Sequence, residues 1–181
     1  MTPDELAAAE EAGRLPPLLH FWRPDPQPGD RPGPGCLSQW WPAPFTVDGV
    51  GFPTAEHYMM WRKALLFGDE RAGAMVLADP DPAAAKAAGR TVAGFDGPRW
   101  VVHRFDIVVD GNRAKFAADA ALRGYLVGTG GHVLVEASPD DAVWGIGLAA
   151  DDPDAAVPSR WHGYNLLGFA LMQVRGELAG C

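Results

Sequence analysis

The sequence is poor in cysteine and has no long apolar run. Cys36 and Cys181 are its only two cysteines, and their wide separation argues against a structural disulfide. No stretch approaches the ~20 apolar residues of a transmembrane helix. The acidic start MTPDELAAAEEAG lacks the basic and apolar segments of a signal peptide. These absences predict a cytoplasmic protein that neither crosses a membrane nor depends on disulfides.

Positive charge is also scarce. The sequence has 15 Lys and Arg residues and 23 Asp and Glu residues, which gives a formal net charge of -8. Non-specific nucleic-acid binding relies on many Lys and Arg that displace counterions from phosphates, so a broad basic surface for this purpose is excluded. A small phosphorylated ligand needs only a few local cations, and candidates for these are Arg62, Lys63, Arg90, Arg113 and Lys115.

Several common cofactor motifs are missing as well. The chain has no glycine-rich phosphate loop ending in Lys-Ser/Thr, no GxGxxG after a strand and no GxSxG nucleophile elbow. Its five histidines are not spaced like metal ligands, and neither cysteine lies near another thiol. We therefore expect neither a metal nor another cofactor.

What the sequence does contain predicts a folded, mainly helical α+β domain. Hydrophobic residues make up 48% of the chain, including seven Trp and eight Phe, and 181 residues suit one compact domain. Helices are predicted after Thr54 with a left-handed stop at Gly68, after Asp81-Pro82, between residues 101 and 121, and after Asn165 as a cap. Residues 132–137 predict a strand, with Val143–Leu148 as its possible partner.

The chain is predicted to divide into an N-terminal extension and one domain. Residues 1–20 are rich in Ala and Glu and are interpreted as an extension, either a short helix or loose, whereas residues 21–181 form the domain. The proline- and glycine-rich segment Arg23–Gly35 is predicted to be a surface loop.

One helix carries an acid and an amine on the same face. Glu56, Met60 and Lys63 are spaced by four and then three residues, which places them on one side of the helix, with the α-carbons of Glu56 and Lys63 roughly 10 Å apart along its axis. A small sugar fits that gap. The alternative is an acid favoured by the helix dipole and a solvated lysine. His57, beside Glu56, is interpreted as a hydrogen-bonded structural histidine in preference to a general base.

A second cluster combines an acid with an aromatic residue. In EASPDDAVWG a strand runs into a turn, so that Asp141, Trp144 and Gly145 arrive together. Cleavage of an N-glycosidic bond builds positive charge on the ribose, which a carboxylate stabilises while an indole stacks on the departing base. Alternatively, Asp141 bonds backbone amides and Trp144 fills core. Gln39 and Trp40 are open to the same two interpretations.

These motifs, in this order, resemble the NADAR or YbiA-like family of N-glycosidases. The resemblance runs through CLSQWWPAPFTVDG, FPTAEHYMMWRKALLFGD, GNRAKF, LVEASPDDAVWGIGL and GYNLLGFALMQVR, and covers roughly Phe21 to Leu178. It implies a compact, mainly helical fold without a metal. It also implies that Glu56, Lys63, Asp141 and Trp144 line the pocket. Trp61-Arg62 stands before Lys63 where the family commonly has Gln or Gly, which affects the expected substrate choice.

The resemblance implies hydrolysis of an N-ribosidic bond. The expected substrate is a ribosylamine phosphate of the riboflavin pathway or ADP-ribosylated guanine in nucleic acid, with no obligate protein partner; the alternative is a non-catalytic module that binds ADP-ribose or a nucleotide. The predicted catalytic residues are Glu56, Asp141 and Lys63, the last as a possible Schiff-base nucleophile. The predicted substrate-binding residues are Trp144, Gln39, Trp40, Arg62, Lys115 and Gly145.

Overall fold

The computed structural model describes residues 1–25 and 31–180, which form two contact units. One unit comprises Met1–Ser38 with Ala120–Cys181, and the other comprises Gln39–Asp119. Residues 26–30 of the predicted surface loop and Cys181 lie outside the described residues. Cys36 is buried and is not part of a disulfide among the described residues. Within the described part of the chain, no helix is both long enough and apolar enough to cross a bilayer.

Helices dominate the secondary structure, as the sequence predicts. In chain order the elements are α1 (Pro3–Glu11), β1 (Leu18–Phe21), β2 (Phe45–Val47), β3 (Val50–Phe52), α2 (Ala55–Leu66), α3 (Glu70–Leu77), α4 (Pro82–Arg90), α5 (Gly97–Ala118), α6 (Ala120–Gly128), β4 (Val133–Glu136) and α7 (Leu166–Ala179). Short 3-10 helices cover Pro34–Leu37, Pro153–Ala156 and Pro158–Arg160. Seven helices and four short strands among the described residues confirm the α+β class.

Helix α2 is the centre of the Gln39–Asp119 unit, where it packs against α3, α4 and α5. Its predicted start and stop are confirmed, since the Thr54 side chain accepts from the His57 amide and Gly68 has a φ of +72°. The predicted helix after Asp81-Pro82 is α4, capped by the Asp81 carboxylate. The helix predicted between residues 101 and 121 is α5, which begins four residues earlier, at Gly97.

Two glycines let neighbouring helices approach α2 closely. A Cβ on Gly111 of α5 would lie 2.5 Å from the Tyr58 ring, and one on Gly89 of α4 would lie 2.8 Å from Cγ of Met60. Side chains at these positions would push the helices apart. The two contacts therefore fix the positions along the α2 axis at which α4 and α5 cross it.

The other unit is built on a parallel strand pair. β1 pairs with β4 in a register that places Leu18 beside Val133 and Phe21 beside Glu136. Helix α7 packs on β4 and on α6, and it buries the apolar residues Leu167, Ala170, Leu171, Val174 and Leu178. β1 spans the proposed division between residues 20 and 21, and that division stays a prediction.

One prediction about this unit is wrong, and another is confirmed only in part. Val143–Leu148 forms no strand beside β4, whose partner is β1. The amides of Val143 and Trp144 instead donate to the Asp141 carboxylate, which bends the chain into a turn. Asn165 precedes α7 as predicted, but its side chain makes no cap bond. It joins β4 instead, accepting from the amide of Glu136 and donating to the carbonyl of Leu134, both at 2.9 Å.

Candidate active site

Glu56 is a deeply buried carboxylate at the start of α2. It lies in the first turn, only 3% exposed, and its backbone amide donates to the carbonyl of Gln39 over 3.0 Å. Aligned peptide dipoles make the first turn of a helix favourable for negative charge. The position therefore holds an acid out of water, where electrostatic interactions are stronger than at the surface.

The neighbouring histidine has the structural role that we expected. His57 is fully buried, with Nε2 2.9 Å from the carbonyl of Asp79 and Nδ1 2.8 Å from the Thr54 hydroxyl. Because a carbonyl only accepts, Nε2 carries the proton and Nδ1 accepts from the hydroxyl. Nε2 thus joins α2 to the loop before α4, and Nδ1 bonds the residue that caps α2.

Lys63 lies two turns further along α2, in a half-buried aromatic environment. Its Nζ donates to the carbonyl of Gly89 over 2.8 Å and lies 4.5 Å from the ring centroid of Phe95 and 5.8 Å from that of Trp100. Burial lowers the pKa of the Lys63 amine, and the positive charge of Arg90 lowers it further. A Schiff-base role for Lys63 requires a lowered pKa, which a neighbouring cation such as Arg62 or a dry pocket could cause. The cation is Arg90.

Arg62 takes part in a different set of contacts from Lys63. Its guanidinium donates to the Tyr58 hydroxyl over 2.5 Å and lies 5.5 Å from the centroid of the same ring. It lines a cavity of about 490 Å³ whose polar groups include His103 and three carboxylates; the cavity does not include Lys63. Successive helical residues point about 100° apart, which separates the two cations. A substrate-binding role for Arg62 stays a prediction.

Three further residues predicted to bind the substrate, Gln39, Trp40 and Lys115, also lie in the Gln39–Asp119 unit. The side-chain oxygen of Gln39 accepts from Nδ2 of Asn112 over 2.9 Å. The ring of Trp40, which is half-buried, has Nζ of Lys86 5.8 Å from its centroid. Lys115, on α5, is only 1% exposed, and so complete a burial is rare for lysine. Substrate-binding roles for Gln39, Trp40 and Lys115 stay predictions.

Asn112 is a polar residue of this network that sequence reasoning did not single out. It is fully buried on α5, and its Nδ2 also donates to the carbonyl of Val108 over 2.9 Å. The available signal was its place in GNRAKF, three residues before Lys115. A buried amide inside a long helix requires a partner from elsewhere in the chain, and here that partner is Gln39, 73 residues away.

The second predicted cluster forms a tight turn in the other unit. One carboxylate oxygen of Asp141 accepts from the amides of Val143 and Trp144, each over 2.8 Å. This is the backbone-bonding alternative that the sequence left open. Trp144 is half-buried and not part of the closed core, so part of its indole is accessible for stacking. Gly145 is needed for close packing, because a Cβ there would lie 2.7 Å from the carbonyl of Glu136.

Backbone hydrogen bonds hold this turn in place from a second side. The amides of Tyr164 and Asn165 donate to the carbonyls of Ala142 and Gly145, over 3.1 and 3.0 Å. Further along, the amide of Leu167, in the first turn of α7, donates to the carbonyl of Trp144 over 3.1 Å. The turn is therefore anchored to α7 and does not move as a free loop.

Together, the predicted residues fall into two groups. Those in the Gln39–Asp119 unit are Gln39, Trp40, Glu56, Arg62, Lys63 and Lys115, and those in the other unit are Asp141, Trp144 and Gly145. The first group supplies a buried acid and an amine of lowered pKa, which suits nucleophilic and proton-transfer chemistry. The second supplies an aromatic face and a carboxylate. Among the described residues, no group of three or more His, Cys, Asp or Glu is arranged to hold a metal ion.

Comparison with known proteins identifies the family to which this chain belongs. The family model described as the NADAR domain matches residues 20–179. N-glycosidase R617 of Acanthamoeba polyphaga mimivirus is 41% identical over 150 residues, which are 80% of this chain and 88% of that protein. Riboflavin biosynthesis protein VVA0006 of Vibrio vulnificus is 32% identical over 160 residues, which are 88% of this chain and 38% of that protein.

A solved structure supports the same assignment. N-glycosidase YbiA of Escherichia coli is 32% identical over 136 residues, which are 75% of this chain and 76% of that protein. The NMR structure of YbiA superposes with a TM-score of 0.72 and 28% identity, covering 90% of this chain and 85% of that one. The sequence resemblance and the fold class are thereby confirmed, and the chain belongs to the NADAR domain family.

Proposed function

We propose that this protein is an N-glycosidase that hydrolyses the N-ribosidic bond of a ribosylamine phosphate or of ADP-ribosylated guanine. The names of R617 and YbiA support the reaction type, and the name of VVA0006 supports a riboflavin-pathway substrate. The observation that carries the proposal is the pairing, on one helix, of the buried Glu56 carboxylate with the Lys63 amine of lowered pKa.

Glu56 has the properties that the transition state of this reaction requires. As the C–N bond breaks, the ribose ring takes on oxocarbenium character, and a fixed carboxylate lowers the energy of that positive charge. Because Glu56 is almost completely buried, water does little to screen its charge. In the proposed reaction Glu56 stabilises the cation and directs water to the anomeric carbon. A catalytic role for Asp141 and stacking of the departing base on Trp144 stay predictions.

A second route uses Lys63 as a nucleophile. The ribosylamine ring opens to a protonated imine between the anomeric carbon and the leaving nitrogen, and the neutral Lys63 amine adds to that carbon. The leaving amine departs with a proton, and a Schiff base to Lys63 remains. Water then hydrolyses the Schiff base to the free sugar and the lysine amine. The lowered pKa of Lys63 favours this route because only the neutral amine attacks.

Product analysis by mass spectrometry tests the function. The protein is incubated with a ribosylamine phosphate and, separately, with ADP-ribosylated guanosine. We expect release of ribose phosphate or ADP-ribose together with the free amine or base in equal amounts. Binding of both compounds without release would contradict the proposal and favour a non-catalytic ADP-ribose or nucleotide-binding module.

Borohydride trapping separates the two routes. If Lys63 forms a Schiff base, reduction during turnover adds the mass of the reduced sugar to the protein at Lys63, and the Lys63→Ala variant gains none. The matched control is Lys86→Ala, since Lys86 is another lysine of the Gln39–Asp119 unit and lies near the ring of Trp40. Turnover without a trapped adduct would leave direct attack by water as the mechanism.

A further inference from the structure

The amide side chains of Asn112, on α5, and Gln39, which precedes Trp40, are hydrogen-bonded to each other. Nδ2 of Asn112 donates to the carbonyl of Val108 and to the side-chain oxygen of Gln39, both over 2.9 Å. The backbone carbonyl of Gln39 accepts from the amide of Glu56. Gln39 is thus held through both its side chain and its main chain, next to the buried acid of α2.

The orientation of the Asn112 amide follows from its surroundings. A backbone carbonyl only accepts hydrogen bonds, so the group that faces Val108 must be the NH₂ and not the oxygen. Turning the amide over would bring two oxygens together. The oxygen of Asn112 is buried and has no hydrogen-bond partner within the described residues, so nothing there favours the reversed orientation.

The orientation of Asn112 determines that of Gln39. The second proton of the Asn112 NH₂ points at Gln39, which must present its oxygen in return. The NH₂ of Gln39 then faces away from Asn112. In the part of the chain that the structure describes, the hydrogen bond of the Gln39 side chain is made by its oxygen, and its NH₂ is left to donate elsewhere.

We propose that Asn112 is a positioning residue that makes Gln39 a dedicated hydrogen-bond donor to a carbonyl oxygen on the leaving base of the substrate. This inference rests on the proposed N-glycosidase function. A glutamine that is free to rotate offers either an oxygen or an NH₂ to a ligand. With its oxygen held by Asn112, Gln39 offers only the NH₂, so it selects ligands with an acceptor at that place.

The direction of charge flow explains why the partner is the base and not the sugar. When the N-glycosidic bond breaks, both bonding electrons go to the base, and the ribose becomes positive. An N–H donor stabilises the negative charge that reaches a carbonyl oxygen of the base, and it disfavours the positive charge on the ribose. A fixed donor therefore stabilises the charge that develops in the transition state when it contacts the leaving base, and not when it contacts the ribose ring. Guanine and pyrimidinones carry a carbonyl of this kind.

A matched pair of substrates tests the inference. 2-Aminopurine lacks the carbonyl oxygen of guanine and, with it, the proton on ring nitrogen N1, and each base is prepared with ribose 5-phosphate on its exocyclic amino group. The selectivity is the ratio of kcat/KM for the two compounds. In Gln39→Glu a carboxylate oxygen replaces the NH₂ group, and the other carboxylate oxygen still accepts from Asn112. Because the donor to the base is lost, we expect the selectivity for guanine to fall by about 10²-fold from the wild-type value. Asn112→Leu frees the Gln39 amide to rotate, and an intermediate fall is expected.

Selectivity separates this role from a merely structural one. A variant that folds poorly loses activity on both substrates by the same factor and keeps the wild-type ratio. Gln173→Glu makes the same chemical change at an exposed position of α7 and should leave the ratio unchanged. If Gln39→Glu and Asn112→Leu also keep the wild-type ratio, the inference is wrong.

A binding arm distinguishes failure of the inference from failure of the proposed function. If the wild-type protein cleaves neither compound, the N-glycosidase proposal fails. Calorimetric titration with guanosine monophosphate and with 2-aminopurine riboside monophosphate then measures recognition alone. If the wild-type protein prefers the guanine nucleotide and Gln39→Glu does not, the donor role is supported. If the ratio of the two affinities is the same in both proteins, the donor role is wrong.

Discussion

Replacing Glu56 with glutamine tests the acid in the proposed reaction. The change removes a negative charge and keeps the size of the side chain, which is 3% exposed in the first turn of α2. At a separation of about 4 Å and an effective dielectric constant of about 20, one charge stabilises another by about 4 kcal/mol. That energy corresponds to about 10³-fold in rate, so kcat of Glu56→Gln should fall by about that factor.

The loss should appear in kcat and hardly in KM, because the carboxylate acts on charge that develops only in the transition state. The assay is steady-state product release, measured by mass spectrometry on the best substrate of the panel. Glu70→Gln is the matched control, since Glu70 also lies in the first turn of a helix but is exposed. A fall in kcat of less than about tenfold, or an equal fall in the control, would refute the role given to Glu56.

Three further predictions concern reactivity and stability. Trapping at Lys63 should increase with pH and reach its midpoint below the ordinary lysine pKa, because burial and a neighbouring cation favour the neutral amine. Thr54→Val should lower the free energy of unfolding by about 2–4 kcal/mol in urea titrations, since it removes a helix cap and leaves the buried Nδ1 of His57 without its donor. Gly111→Ala should cost about 1–3 kcal/mol, because the added methyl meets an aromatic ring.

Each of these predictions has a matched control. Arg90→Gln should move the trapping midpoint to higher pH, and an unchanged or lower midpoint would contradict the assigned cause. Thr46→Val makes the same change at an exposed strand position and should alter stability by less than about 0.5 kcal/mol. Gly124→Ala adds a methyl in open space on α6 and should be neutral or stabilising. Equal losses in the test and control variants would refute the packing and capping arguments.

Local signals were enough to predict the helices that carry the site. Thr54 before α2, Gly68 after it and Asp81-Pro82 at α4 act within one turn, so neighbouring residues reveal them. The turn at Asp141 was also anticipated as one of two alternatives. Caps and turns depend on side chains reaching nearby amides, which is information that a short stretch of sequence contains.

Long-range pairings were not predictable in the same way. The strand β1 is only four residues long and follows two prolines, so nothing local identified it as the partner of β4. Val143–Leu148 looked like that partner because its apolar residues suit a strand, but the Asp141 carboxylate holds its first amides. The bond between Gln39 and Asn112 crosses 73 residues, and the bond from the Glu136 amide to the Asn165 side chain crosses 29.

A crystal structure of the Glu56→Gln variant with uncleaved substrate tests the central claim most directly. The account predicts that the anomeric carbon of the ribose lies beside the side chain at position 56. A substrate whose ribose binds away from this position would contradict it.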